Sequence, residues 1–216
     1  MTGLREIPDL MHRTLFRTLS LLAPGGQGAV LRRYFDWWHR NPDPWNLGTD
    51  SYERHKYETT LRQVPERPYR RILDVGCSEG VFTHMLARTY PDAEVTGMDI
   101  SERALSRARA RMDGDGTKVT LIQGDLLADG PGERFDLVFC AETLYYLGRH
   151  DRLLRASARL SGLLEPGGVL VLVHPWPEAR RLHGYLDDNP AVSRFAEEVD
   201  RTPQRPFAVS LYRSAG

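Results

Sequence analysis

Lysine is almost missing from this chain: of its 29 basic residues only Lys56 and Lys118 are lysines, and the others are arginines. That bias reads as coding composition and not as a phosphate-binding design. Acidic residues also number 29, so no net field draws the chain onto nucleic acid or an anionic membrane surface. Cysteine is just as scarce. Cys77 and Cys140 are the only two, each inside an apolar strand-like run and neither in a ligand-spaced cluster, so reduced thiols are expected. The seven histidines are scattered without metal-type spacing, and no metal is expected. No apolar run approaches the roughly 20 residues a membrane span needs. Arg5, Arg13 and Arg17 interrupt the N-terminal stretch before a signal-type apolar core can form. A cytoplasmic protein with no nucleic-acid or membrane partner is expected, its oligomeric state open between monomer and homodimer.

What remains is 216 residues, 41% of them apolar, enough for one sizeable core. Met11, Leu15, Leu19 and Leu22 recur at helical spacing, and Pro24-Gly25-Gly26 reads as the turn that stops them. A second helix carries Val30, Tyr34, Trp37 and Trp38 on one face and ends at Asn41-Pro42-Asp43-Pro44. Asp50 with Glu53 three positions on suggests a capping box opening a helix through Leu61. Pro65 and Pro68 then separate helical cap or lid elements, residues 1–68, from a main core, residues 69–216.

In the core the pattern alternates. Ile72–Val75, Glu94–Met98, Val119–Gln123, Leu137–Cys140 and Val169–Val173 are short Val, Ile and Leu runs of the kind covered on both faces. Amphipathic stretches Gly80–Tyr90, Ser101–Met112 and His150–Gly162 lie between most of them. An open α/β sheet with right-handed crossovers follows. Ser193–Val199 and Phe207–Tyr212, separated by Thr202-Pro203-Gln204-Arg205-Pro206, have no helix between them and are expected to pair as an antiparallel hairpin.

In such a sheet ligands bind beyond the carboxyl ends of the strands. The first strand-to-helix turn reads Leu73-Asp74-Val75-Gly76-Cys77-Ser78-Glu79-Gly80. Gly76 and Gly80 allow a tight bend, but Ser78 stands where a dinucleotide fingerprint has glycine, and no phosphate-cradling lysine follows. A diphosphate cofactor such as NAD is disfavoured. Asp99 ends the second strand, where a carboxylate can accept both ribose hydroxyls. Gly124-Asp125-Leu126 places a carboxylate where an adenine amine can donate, and Cys140-Ala141-Glu142-Thr143-Leu144-Tyr145-Tyr146-Leu147 brings Glu142 and two tyrosines over the same crevice. Each element alone is an ordinary turn or cap; four at successive strand ends are more specific.

With these motifs the chain resembles the class I S-adenosylmethionine-dependent methyltransferases across residues 70 to 213, including Leu163-Leu164-Glu165-Pro166-Gly167-Gly168 before the hairpin. The resemblance implies a Rossmann-like open twisted sheet of seven strands, mostly parallel with a C-terminal antiparallel hairpin strand, preceded by N-terminal helices. It implies S-adenosyl-L-methionine as cofactor. Asp74, Gly76, Cys77 and Gly80 would border its methionine part, Asp99 and Ile100 its ribose, and Asp125 and Leu126 its adenine. Cys140 and Glu142 would lie near the sulfonium and the methionyl amine. The segment Asp43-Pro44-Trp45-Asn46-Leu47-Gly48 through Ser51-Tyr52-Glu53-Arg54-His55-Lys56-Tyr57 is similar to the pre-domain element of the nodulation protein S family, which N-methylates sugar amines and has relatives in natural-product biosynthesis. On that likeness Tyr52 or Lys56 would meet the cofactor carboxylate from a lid; alternatively Tyr52 and Tyr57 simply pack inward.

Methyl transfer from a sulfonium chiefly requires alignment. A group that takes the acceptor's proton would help, and Glu142, Tyr145 and His174 are the candidates. His174 has a second reading, as a hydrogen-bonded histidine at a strand end. Tyr34, Trp37, Trp38 and Trp45 suit either an acceptor wall or core packing. The expected activity is methylation of a small-molecule amine or hydroxyl on a sugar or natural-product intermediate. The alternatives are O-methylation of a phenol or carboxylate and, in another class, a cofactor-binding protein without catalysis.

Overall fold

The computed structural model describes residues 16, 18–128, 130–202 and 205–215. Two helices precede the sheet, α1 (Pro24–Trp38) and α2 (Ser51–Gln63). Then follow β1 (Arg71–Val75), α3 (Val81–Thr89), β2 (Glu94–Asp99), α4 (Glu102–Met112), β3 (Val119–Gln123) and β4 (Phe135–Ala141). A 3-10 turn at Leu144–Leu147 leads into α5 (His150–Gly162), β5 (Leu164–Pro175), α6 (Glu178–Asp187), β6 (Val192–Asp200) and β7 (Phe207–Ser214). Among the described residues no helix is long and apolar enough to cross a membrane.

The seven strands run in the order β3-β2-β1-β4-β5-β7-β6. β1 to β5 are parallel, and β7 inserts antiparallel between β5 and β6. The reversal at β1/β4 opens a crevice above those strand ends, where the glycine bend lies. Alternate residues of each central strand face opposite sides of the sheet. Leu73, Val75, Val138, Cys140, Leu170 and Leu172 bury into one apolar layer, and Ile72, Leu137, Phe139, Val169 and Val171 into the other. Coverage on both faces is why these runs are almost uniformly apolar.

Three local expectations need correction. Pro24-Gly25-Gly26 starts α1 instead of forming the turn that stops the preceding helix, because a fixed φ and a missing N–H are tolerated in the first turn of a helix, where that N–H has no partner anyway. Met11 and Leu15 lie outside the described residues, as do Pro203 and Gln204 of the hairpin turn. Asp50 does cap α2, accepting from Tyr52 N at 2.9 Å, but Glu53 does not complete a capping box and turns to two cations instead. Finally, α6 between β5 and β6 was not anticipated from the sequence; its Ala179, Leu182 and Leu186 supply the buried face.

Candidate functional site

A cavity of about 810 Å³ opens above the carboxyl ends of β1, β2 and β4, roofed by α1, the 43–50 loop and α2. Of the residues singled out in the sequence, Tyr52, Lys56, Gly76, Asp99, Ile100, Asp125, Leu126, Glu142 and Tyr145 line it. Asp74, Cys77, Gly80, Cys140 and His174 do not.

The five set back have structural roles. Asp74 accepts from Thr83 Oγ1 at 2.6 Å and so fastens the end of β1 to α3. Burial pushes its carboxyl up to about 7, with the Thr83 hydrogen bond opposing and the Asp99 charge adding. Gly80 is left-handed at φ 72, and a Cβ there would come within 2.9 Å of Ala108 Cβ, so glycine serves the packing of the bend on α4. Cys77 and Cys140 are buried free thiols, and burial pushes both upward, Cys140 to about 12. Neither is a nucleophile at neutral pH.

His174 is corrected from candidate base to internal strut. It is wholly buried, and its Nε2 accepts from Leu144 N at 3.2 Å. That fixes the proton on Nδ1, which donates to His183 Nε2 at 3.1 Å. His183 Nδ1 in turn donates to Ser210 Oγ at 2.7 Å, and Ser210 donates to Glu197 at 2.9 Å. Every direction in this relay follows from the backbone N–H at its inner end, and the relay supports the turn that carries Tyr145 and Tyr146. Burial lowers His174 to about 3 and His183 well below its ordinary value, so both stay neutral when folded.

In the unfolded chain histidine titrates near ~6.5. Below that pH the unfolded state holds more protons, and stability falls as pH drops toward 3. His174→Gln should therefore lose stability at pH 7, where two buried partners are left poorly paired. It should also lessen the acid-side decline by up to about 1.4 kcal/mol per pH unit. Asp74 acts in the opposite sense, its contribution lost as pH rises from about 4 through about 7, but it is common to both proteins and cancels in the difference. Urea unfolding of both proteins between pH 4 and 7 reads this, and identical pH slopes would refute the buried-neutral assignment.

The residues that do line the cavity form distinct groups. Asp99 Oδ2 accepts from Ser78 N at 2.9 Å and Oδ1 from Ser101 N at 2.8 Å, which aims the carboxylate along the rim. Burial raises its pKa, against backbone hydrogen bonds that pull it down. Ser78 adopts the left-handed conformation, φ 51, that a glycine would take, and its amide donates to Asp99 there. Asp125 Oδ1 accepts from Leu127 N at 2.8 Å, and α1 approaches so closely that a Cβ at Gly28 would lie 2.3 Å from Asp125 Oδ2.

Across the mouth, Lys56 Nζ pairs with Glu53 at 2.8 Å and Glu142 at 2.9 Å. Burial disfavours the ammonium, but the two carboxylates outweigh it and hold its pKa above the usual lysine value. Arg205, from the β6–β7 connection, pairs with Glu53 at 2.6 Å and Asp50 at 3.1 Å and stacks 3.9 Å from the Tyr52 ring centre. Tyr52 OH donates to Arg205 O at 2.7 Å. This clasp ties α2 to the C-terminal hairpin, so α2 both packs and covers the cavity.

Tyr34, Phe35, Trp38, Trp45 and Tyr146 make an aromatic panel in edge and tilted contacts, and Trp37 points outward at 54% exposed. Only Trp37 among the four aromatics named from the sequence leaves the wall. Burial raises Tyr145 well above its ordinary pKa, so its phenol keeps its proton.

Sequence reasoning passed over Glu79 and His39. Glu79 accepts from His39 Nδ1 at 3.0 Å, Arg107 at 2.8 Å and Asp43 N at 3.1 Å, joining the glycine bend to α1, α4 and the 43–50 loop. Burial would raise its pKa, but Arg107, His39 and the Asp43 amide together lower it. A glutamate between two glycines reads from sequence as a solvated turn residue; its partners lie 28 to 40 positions away.

Residues 72–168 match a family model described as a methyltransferase domain. Nodulation protein S of Rhizobium tropici is 34% identical over 177 residues, covering 79% of this chain and 73% of that protein. Trans-aconitate 2-methyltransferase of Rhodopseudomonas palustris (strain BisB18) is 36% identical over 115 residues, covering 53% of this chain and 42% of the relative. The chain spans about half the length of the trans-aconitate 2-methyltransferases it matches. The crystal structure of the N-methyltransferase NodS from Bradyrhizobium japonicum WM9 in complex with S-adenosyl-L-homocysteine superposes with a TM-score of 0.74 at 25% identity, covering 86% of this chain and 98% of that one.

Proposed function

The chain belongs to the class I S-adenosylmethionine-dependent methyltransferases, and from that premise we propose that it methylates an amine, or secondarily a hydroxyl, on a sugar or natural-product intermediate. S-adenosyl-L-methionine is the cofactor, and when bound it supplies a methyl group activated by a sulfonium. The residues present suit it: carboxylates stand at the ends of β2 and just after β3, where ribose hydroxyls and an adenine amine can donate to them, and Gly28 leaves room beside Asp125.

In this reading Asp99 holds the ribose with Ile100 beside it, Asp125 and Leu126 flank the adenine, and Gly76 borders the methionine part. Lys56 donates to Glu142 and is ion-paired with Glu53, and its three-donor ammonium keeps a donor for the cofactor carboxylate. Glu142 takes the proton that the acceptor sheds, and the Tyr145 hydroxyl orients the acceptor. The clasped α2 and the aromatic panel exclude water and align the nucleophile.

The charge of the cavity carries the preference for an amine. Five carboxylates line it, Asp50, Glu53, Asp99, Asp125 and Glu142, against two full-time cations, Lys56 and Arg205. Such a lining favours a cationic or amine-bearing guest and repels a polycarboxylate. The aromatic panel adds faces that stack on sugar or planar rings.

Methyl-transfer assays with labelled cofactor against amino sugars, other amines, phenols and carboxylic acids test this reading. Turnover with amino sugars or related amines is expected, with carboxylic acids the poorest acceptors. Fastest turnover on a carboxylic acid, with amines inert, would replace the proposal by O-methylation.

A further inference from the structure

The ring of His39 lies at the cavity edge near the bend that carries Ser78, and the two ring nitrogens have different surroundings. Nδ1 stands 3.0 Å from Glu79 Oε1, while Nε2 stands 3.5 Å from the Oγ of Ser78, the residue whose amide binds Asp99. The ring is 2% exposed and packs edge-on against Trp45 at 5.1 Å. A carboxylate only accepts, so Nδ1 must carry the hydrogen, and in the neutral ring Nε2 is then an acceptor.

Glu79 is itself held from several sides. Arg107, which also donates to the carbonyls of Arg40 and Asn41, pins its carboxylate, and Asp43 N donates to both its oxygens. Arg111 Nε donates to its carbonyl at 3.0 Å. Asp43, left-handed at φ 45, hands the connection on by accepting from Leu47 N and Gly48 N, and so shapes the loop leading to α2. The imidazole is thereby oriented by a rigid node that also sets the roof of the cavity.

We propose that His39 is a cofactor-contacting residue, fixed by Glu79 as the Nδ1–H tautomer so that Nε2 accepts a hydrogen bond from a ribose hydroxyl alongside Asp99. Asp99 has both oxygens already engaged by the Ser78 and Ser101 amides, and a second acceptor on the same rim lets each of the two ribose hydroxyls donate to its own partner. Glu79 is the positioning residue for this contact. The inference rests on the cofactor and is independent of the acceptor.

Nitrogen-15 correlation spectra of the histidine rings in the wild-type protein read the tautomer directly. Titration calorimetry with S-adenosylhomocysteine and with its 2′-deoxy and 3′-deoxy forms reads the contact. The expected spectrum shows Nδ1–H, a bare Nε2 that shifts when S-adenosylhomocysteine is added, and a weakened Nδ1–H preference in Glu79→Gln. His39→Phe should weaken S-adenosylhomocysteine about fivefold to tenfold, a typical hydrogen-bond loss, while one deoxy form loses less than about twofold. His39→Gln, which keeps an acceptor, should recover part of the difference. A protonated Nε2 with a bare Nδ1, or an equal loss for all three ligands, would overturn the proposal. Should His39→Phe not fold, the wild-type spectrum and the response of its Nε2 to the three ligands decide the matter alone.

Discussion

Asp99→Ala is expected to weaken S-adenosylhomocysteine binding by about 10- to 10²-fold, the largest loss of any single substitution in the cofactor rim. That range is one hydrogen bond from a ribose hydroxyl to a charged acceptor, at ~1.5–3 kcal/mol, the other hydroxyl being assigned to His39. The same change also strips the acceptor from Ser78 N, in a left-handed position that costs ~1–3 kcal/mol for a non-glycine residue, and from Ser101 N at the start of α4. Asp99→Asn retains one acceptor oxygen and should fall between the two. Titration calorimetry measures all three proteins, and wild-type affinity in Asp99→Ala would remove the cofactor from this rim.

Lys56→Met should produce the largest loss of stability. Lys56 and Glu53 are almost fully buried and Glu142 is partly so. Removing one partner of a buried pair leaves the opposite charge uncompensated, at a typical cost of ~3–5 kcal/mol. For a chain of this size that corresponds to a fall in Tm of roughly 6–20 °C. Arg205 still faces Glu53, so the residual strain falls mainly on Glu142, and Lys56→Met with Glu142→Gln should recover part of the loss. Differential scanning calorimetry of the single and double variants provides the measurement. A single variant melting within about 2 °C of wild type would mean that the carboxylates are already compensated without Lys56.

The parallel sheet was legible because its strands are buried on both faces, and that requirement prints Leu137–Cys140 and Val169–Val173 as unbroken apolar runs and Ile72–Val75 as one interrupted only by Asp74. The hairpin was legible too, since two strand-like runs without a helix between them leave antiparallel pairing as the short connection. At the site, the carboxylates at or just beyond a strand end, Asp99, Asp125 and Glu142, were named from the sequence and line the cavity, because the fold fixes where a strand end points.

Residues one or two positions inside fall outside the cavity lining. Asp74 and His174 lie on the same strands as true lining residues, but their side chains turn into the protein, and no sequence signal reports whether a strand-end polar group faces a cavity or a buried hydroxyl. Glu79, His39 and Arg205 were overlooked for a different reason. Their value comes from partners far along the chain, 152 positions between Arg205 and Glu53, and a single sequence carries no periodicity at that range. The Pro24-Gly25-Gly26 start of α1 shows a third limit, since breaker residues mark a helix boundary without saying which side of it is helical.

The cavity draws its walls from different stretches of chain. Gly76, Asp99, Asp125 and Glu142 fall within residues 72–168, whereas Tyr34, Trp38, Trp45, Tyr52, Trp176 and Arg205 fall outside them. On the proposed reading, exchanges in the flanking stretches that spare His39 and Lys56 retune which molecule is modified while the source of the one-carbon unit stays the same. A chimaera that keeps 72–168 together with His39 and Lys56, and takes the rest of its flanks from another enzyme, is the natural way to move selectivity without rebuilding the donor half.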